Sequence, residues 1–407
     1  MTRSLLKLSL LIGALSCIQA LADSTFESMF LDPSDGQLDA SKFLTENAYG
    51  VLPVPVIITD PAVDGGLGMI GLFFHEDEES QEARQEAMRS ADNAAKHLIP
   101  PSVSFVAGAA TGNKSYFVGG GHLGFFQQGA VRYMGLAGAA EINLDFYGAE
   151  GTLPNLINQF LAKKPLDINT KALATIHHAK FKIGSSRLFL GPKISYIESE
   201  LSINNFRNCN YLSSENCRVL FELLQQDVKT SGLGLLGEWD SRTNFFSPQE
   251  GYNLQFEYMI YDEAIGSDIN YNYFMMKDLN YWKLNESFRT NLRLDWQAAY
   301  TDDKLPPFAI PGIDLRGLPA MKYQGKRVAV AEVELIWQIN YRWSVSVFGG
   351  SGRTAQATSA LEKSPSINTE GLGFRYRIAR RYGFDMGIDI AQGPNDTVFY
   401  IQAGSAW

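Results

Sequence analysis

The chain has 407 residues and an acidic balance, with a formal net charge of -9, 45% hydrophobic residues, 12% aromatics and 37 glycines. That balance, without any lysine-rich run, argues against a nucleic-acid binder or a basic lipid-surface module. Beyond the first 22 residues no stretch approaches the roughly 18 uninterrupted apolar residues that a spanning helix needs, so the chain is either a soluble exported protein or one that crosses a membrane with strands.

Export is read from MTRSLLKLSLLIGALSCIQALA, residues 1–22, where Arg3 and Lys7 precede an apolar run that ends on Ala20-Leu21-Ala22. This is the layout of a signal peptide with its small-residue cleavage site. A lipoprotein reading would make Cys17 the acceptor, but Ala14 stands where leucine is preferred. Residues 23–50 are polar and turn-rich, and are expected to form a periplasmic, plug-like leader lying in or under the body of the protein. Val54 to Thr59 is a proline-bounded extended run, and Leu67 to His75 reads as a first strand. Residues 76–98 are rich in Glu, Gln and Ala, which predicts a solvated helix in a loop.

From Pro101 onward the pattern is strand, turn, strand. Segments are predicted near 102–111, 114–126, 131–147, 168–183, 188–204, 228–240, 251–264, 268–283 and 287–301, then 328–339, 342–352, 367–379, 382–391 and 397–406. The two-residue period of a strand is plain in several of them. Leu292, Leu294 and Trp296 alternate with Asn291, Arg293 and Asp295; Ala331, Val333 and Leu335 alternate with Glu332 and Glu334. Near the end, Phe374 and Tyr376 alternate with Arg375 and Arg377, and Met386, Ile388 and Ile390 oppose Asp385 and Asp389.

Alternation alone fits a soluble antiparallel sheet as well. The number of strands, charges on their polar faces, and aromatics near strand ends (Trp282, Trp296, Trp337, Tyr341, Trp343, Trp407) point instead to an all-β transmembrane antiparallel barrel over residues 51–407. With Leu67 to His75, the segments above make fifteen, and closed bacterial barrels generally have an even number of strands. A sixteenth is expected from Val54 to Thr59 or from division of 131–147, with fourteen strands as the alternative. A secreted sandwich or solenoid is the competing class.

Cys209 and Cys217 lie eight residues apart in a polar loop that has no histidine, so in an exported chain they are expected to form a small disulfide rather than a metal site. Gly66 to Gly71 and Gly232 to Gly237 each match GxGxxG, but neither opens a helix after a strand, and both read as glycine-bearing strands. His177 and His178 are adjacent on one strand and therefore point to opposite faces. The chain has neither G-x-S-x-G nor HExxH, and no enzymatic activity, metal or cofactor is expected.

Four stretches carry a resemblance: LRGLPAMKYQG (Leu315 to Gly325) followed by AEVEL (Ala331 to Leu335), EWDSRTNFFSPQEG (Glu238 to Gly251), PVPVIITDPAVDGGLG, and the C-terminal GLGFRYRIARRYGFDMGIDIAQGPNDTVFYIQAGSAW. Together, over roughly residues 50–407, they resemble the bacterial surface antigen superfamily of barrel-assembly factors, translocation-assembly factors and two-partner secretion transporters. Leu315, Arg316, Gly317 and Leu318 match its Val/Leu-Arg-Gly-Phe/Tyr motif, which sits at the tip of a long extracellular loop folded into the lumen.

Leu318 replaces the family aromatic, and Gly349-Gly350 stands where many members place the aspartate that pairs with the loop arginine. Arg316 is therefore expected to find Glu332, Glu334, Asp295 or another lumen carboxylate. The short leader leaves no room for polypeptide-transport-associated (POTRA) domains, implying a stand-alone barrel.

The resemblance implies residence in the outer membrane of a Gram-negative bacterium, with passage or insertion of protein or lipid as the function. The implied partners are outer-membrane lipid and unfolded outer-membrane or secreted proteins, and no nucleic acid. A passive or structural pore is the alternative. Counting back from an extracellular motif loop puts the turn at 246–251 in the periplasm and the cysteine loop at 206–227 outside.

Overall fold

The computed structural model describes residues 27, 29–47, 51–75, 102–150, 153, 155–204, 214–224, 226–244 and 247–407. The segment expected to be an export signal, with Cys17, the helix expected at 76–98, and Cys209 lie outside them.

Eighteen strands follow in chain order. The first nine are β1 (Val51–Ile58), β2 (Gly66–His75), β3 (Ser102–Thr111), β4 (Tyr116–Phe126), β5 (Val131–Phe146), β6 (Ala149–Glu150), β7 (Leu166–Lys182), β8 (Leu188–Ile203) and β9 (Gln226–Asp240). The others are β10 (Gly251–Tyr261), β11 (Tyr271–Lys283), β12 (Phe288–Tyr300), β13 (Gln324–Gly325), β14 (Arg327–Gln338), β15 (Trp343–Ala355), β16 (Ile367–Ala379), β17 (Phe384–Gln392) and β18 (Thr397–Ala403). Sixteen of them form one antiparallel sheet, each paired with the next, while β6 and β13 make a two-residue parallel ladder between loops. The sixteenth strand is β1, and β5 runs unbroken through 16 residues.

Residues paired across a ladder share a face, so the register carries the alternation around the sheet. Leu335, Val347, Leu372, Ile390 and Phe399 form one such row over β14 to β18, and all five are exposed. On the opposite parity, Arg293 faces Glu332 across β12 and β14, and both are buried. The polar face is therefore the inside and the apolar face the outside, the inverse of a soluble sandwich.

Two aromatics depart from the girdle expectation. Trp296 sits in mid-strand, opposite Met276 and Ala329, and Trp407 folds back into the lumen. Trp282 and Trp337 do lie exposed at the ends of their strands.

The edges of the sheet are β1 and β18, with no ladder between them among the described residues. Pro53 and Pro55 have no N–H to donate, and their backbone nitrogens lie on the same side of β1. Such residues are tolerated in a sheet only on an edge, facing away from the ladder, so the free edge of β1 lacks two donors.

Most short turns gather at one end of the barrel, where the 26 residues between His75 and Ser102 are the exception, and most long connections lie at the other. Over the long-loop end lies an apolar cap. Ile157 and Leu161 of the helix Asn155–Leu161, and Leu220 and Leu224 of the helix Ser214–Leu224, are spaced four apart and so share one helix face. They pack with Leu305 and Ile310 of the β12–β14 connection, all buried.

At the turn end the leader is tied to the barrel by charge. Arg342, in the turn after β14, donates from Nη2 to Asp32 (2.7 Å), from Nε to Asp35 (2.7 Å) and from Nη1 to Asp39 (2.6 Å). Arg380 adds a bond to Asp32 at 3.0 Å, and the Ala40 N–H donates to the Ile378 carbonyl at 2.6 Å. The hydrogen bond from Arg342 holds the Asp35 carboxyl below its usual value of 3.8.

A depressed carboxylate stabilises the docked form above its ordinary pKa, and the stabilisation disappears as pH falls through the lowered value. Protease resistance of residues 29–47 should accordingly hold from pH 8 to about 5 and fail below about 4. Arg342→Ala should release the leader at neutral pH, because removing one partner of a buried ion pair costs about 3–5 kcal/mol. Unchanged resistance in that variant would assign the docking to backbone hydrogen bonds instead.

Candidate functional site: the lumen loop

The β12–β14 connection, residues 301–326, enters the barrel instead of staying above it. Ile313, Leu315 and Leu318 bury themselves against Val328 and Val330, which lie on the inward face at the start of β14. Two glycines of β15 make this possible: a Cβ on Gly350 would sit 2.5 Å from a Leu315 methyl, and one on Gly352 2.6 Å from Ile313. Gly350, where the resemblance would place an acid, is thus the recess that receives Leu315.

Gly317 turns the chain at the tip with φ +95°, a conformation side chains rarely adopt. A Cβ there would also crowd the Gly393 nitrogen at 3.0 Å. Its N–H donates to the Tyr400 hydroxyl of β18 at 2.9 Å, so the loop tip touches the last strand.

These backbone constraints deliver Arg316 into a nest of carboxylates, where only 7% of it is exposed. Nε donates to Glu332 at 2.8 Å, and Nη1 to Asp389 at 2.8 Å and Glu334 at 3.5 Å. The guanidinium also lies 3.4 Å from the Phe348 ring centroid and 5.0 Å from that of Trp407, close enough for cation–π attraction. The pairing of Arg316 with these lumen carboxylates is largely dehydrated.

Asp295 does not reach Arg316. It pairs with Arg293 at 2.5 Å, and Arg293 also holds Asp314 of the loop at 2.8 Å. Across the lumen Arg375 grips Asp389, at 2.5 and 2.9 Å. Three guanidiniums (Arg293, Arg316, Arg375) thereby face five carboxylates (Asp295, Asp314, Glu332, Glu334, Asp389) and join the loop to β12, β14, β16 and β17. Toward the turn end a cavity of about 30 Å³, lined by Arg289, Glu334, Arg375 and Asp385, has room for one or two waters.

Sequence reasoning did not single out Asp389, Phe348, Tyr400 or Trp407 for this site. Asp389 carried a signal, since it lies on the polar face of an alternating strand. Nothing local pairs it with a residue 73 positions earlier.

Of the remaining candidates, Cys217 lies on the helix Ser214–Leu224. The GxGxxG stretches fall within β2 and β9. His177 and His178 take opposite faces of β7, opposite Ile194 and Lys193 of β8 respectively. Among the described residues no group of three or more His, Cys, Asp or Glu is arranged to hold a metal ion.

No family model matches the chain, and no curated protein matches it. Among solved structures it is similar to BamA from Haemophilus ducreyi lacking POTRA domains 1-3, with TM-score 0.55, 11% identity, and coverage of 88% of this chain and 70% of that one. It is also similar to CdiB from Acinetobacter baumannii (TM-score 0.50, 12% identity, 87% and 59% covered) and to CdiB from Escherichia coli (0.54, 8%, 86% and 62%). The chain spans less than two thirds of either CdiB. At these identities the likeness is one of fold, a sixteen-stranded antiparallel barrel.

Reversing the charge at the loop tip tests the electrostatic anchor. Arg316→Glu would set a fourth carboxylate among Glu332, Glu334 and Asp389, and should leave the heat-modifiable barrel intact on gels while making residues 301–326 protease-sensitive. Equal loop protection in variant and wild type would show that Ile313, Leu315, Leu318 and the glycine packing suffice.

Proposed function

We propose that this protein is an integral outer-membrane barrel of a Gram-negative bacterium that assists the passage or insertion of protein or lipid, with the Arg316 loop as its movable element. The observation that carries this reading is the buried Arg316 cluster, which ties the tip of a 26-residue connection to several walls of the barrel by ion pairs. Such a plug is held by ion pairs that can exchange partners, whereas a structural loop needs no charged contacts. Support also comes from the sequence resemblance to assembly and secretion barrels, and from the sheet edge at β1, where Pro53 and Pro55 weaken closure against β18. The orientation proposed puts the short turns and the leader in the periplasm and the apolar cap outside.

The partners in this reading are outer-membrane lipid and unfolded outer-membrane or secreted proteins. The role is non-enzymatic. A passive pore is the second reading, favoured by the lumen pairs Lys180–Glu238 (2.5 Å) and Lys193–Glu257 (2.6 Å), which neutralise the wall without touching the loop.

Planar-bilayer conductance separates the two. Wild type should be closed or flicker at small conductance, and Arg316→Ala should open for longer and conduct more. Steady, large channels unaffected by the substitution would remove the gated-loop role and leave a simple pore.

We also propose the Cys209–Cys217 disulfide and an extracellular position for its loop. The helix carrying Cys217 is anchored through Leu220 and Leu224 in the apolar cap, at the end of the barrel opposite the docked leader. An impermeant thiol reagent should label intact cells only after reduction. Labelling without reductant would refute the disulfide, and labelling only after lysis would refute the orientation.

A further inference from the structure

The outer wall is mainly apolar, but near the turn end a run of polar side chains crosses β2 to β7. One register row on that wall runs Ser104, His122, Gly135, His177 and Ile194. Ile194 is 51% exposed, and the row continues into the exposed Leu233 of β9, which fixes the whole row on the outside. Lys180 and Lys193, of opposite parity on β7 and β8, point into the lumen toward Glu238 and Glu257.

On the outside, the polar groups are linked. His75 Nε2 lies 2.8 Å from Ser104 Oγ, which lies 2.9 Å from His122 Nδ1. The His122 ring is 6.2 Å from that of Tyr133, whose hydroxyl is 2.8 Å from His177 Nδ1, and His177 Nε2 meets Thr175 Oγ1 at 2.9 Å. Gly135 makes room for the Tyr133–His177 contact, since a Cβ there would collide with the Tyr133 hydroxyl and with His177 Nδ1.

The row stands close to the turn end: His75 is the last residue of β2, Ser104 the third of β3 and Tyr133 the third of β5. His177 spends both ring nitrogens within the network. His75 Nδ1 and His122 Nε2, by contrast, have no hydrogen-bond partner among the described residues. A polar group facing hydrocarbon without a partner is costly, so these two nitrogens call for one from the bilayer. On the side of the row toward the long loops, the next register row is Val106, Gly120 and Ala137, a low wall along which an acyl chain can lie.

We propose that this patch binds a glycerophospholipid of the periplasmic leaflet. Its phosphate accepts a hydrogen bond from whichever of His75 and His122 takes the single Ser104 hydroxyl proton on its other nitrogen, and its acyl chain follows the trough over Gly120 and Ala137. An imidazole N–H donating to a phosphodiester oxygen is a charge-assisted bond, stronger than one between neutral groups. The inference rests on the outer-membrane reading above, in which this wall faces lipid.

The test uses the full-length purified barrel and a His75→Phe/His122→Phe variant, which keeps the rings and removes the donors. Each is first floated with phosphatidylglycerol vesicles. It is then transferred to mild detergent, and native mass spectrometry reads the lipid retained, with and without excess inorganic phosphate. Wild type should retain phosphatidylglycerol with roughly tenfold greater occupancy than the variant, the scale of one lost charge-assisted bond, and phosphate should not displace it.

Equal retention by the two proteins would overturn the proposal, as would displacement by free phosphate, which would mark a simple anion site. Failure of wild type to float would instead overturn the membrane reading itself. Heat-modifiable migration checks that the double variant folds, and the single His122→Phe change takes its place if it does not.

Discussion

A sheet curled into a barrel has only two faces, and the one-residue alternation along each strand decides what each face can be. Here the charged residues are inside, so the cylinder must neutralise itself across its own lumen, because a buried, unpartnered charge is far more costly than a surface one. The guanidinium of Arg316 is where this requirement is most concentrated. It is the one basic group brought into the nest by a loop rather than a strand, and it meets carboxylates from β14 and β17. The loop's path, the paired glycines on β15 and the position of Trp407 all conform to its placement.

The loop is held in two different ways. On one side of its tip the hold is apolar and shape-specific, with Leu315 and Ile313 filling the space over Gly350 and Gly352. At its tip it is ionic, and the ion pairs are shared: Asp389 also serves Arg375, and Asp314 serves Arg293. Shared pairs can be redistributed without leaving any charge alone, whereas the apolar contacts are either made or lost. A barrel that had only to stay shut could have used the second kind throughout.

The same economy appears at the turn end, where one arginine, Arg342, gathers three aspartates of the leader. Both arginines are nearly dehydrated, and both join segments distant in sequence. The leader and the lumen loop approach from opposite ends, so the barrel is tethered above and below by the same device. Between them the outer wall is uneven, mainly apolar but crossed near the turn end by a run of polar side chains over β2 to β7.

The sequence alone determined the barrel, because the two-residue period of apolar and charged positions is a local property that survives without knowledge of neighbours. It also determined sixteen strands by parity, and the Leu-Arg-Gly-Leu loop through its resemblance. Glu332 and Glu334 were legible as inward-facing for the same reason, their alternation with Ala331, Val333 and Leu335.

Which carboxylates meet Arg316 was not legible, since that depends on how far a loop descends and on the stagger of strands remote in the chain. Asp389 therefore joined the nest unforeseen, and Asp295 was claimed by Arg293, two residues away on the same face of its own strand. Trp407 read as a girdle residue from composition, yet only the tertiary structure shows the chain turning inward after β18. The outward network of His75, Ser104, His122, Tyr133 and His177 was equally hidden, because it exists only when five strands are set in register.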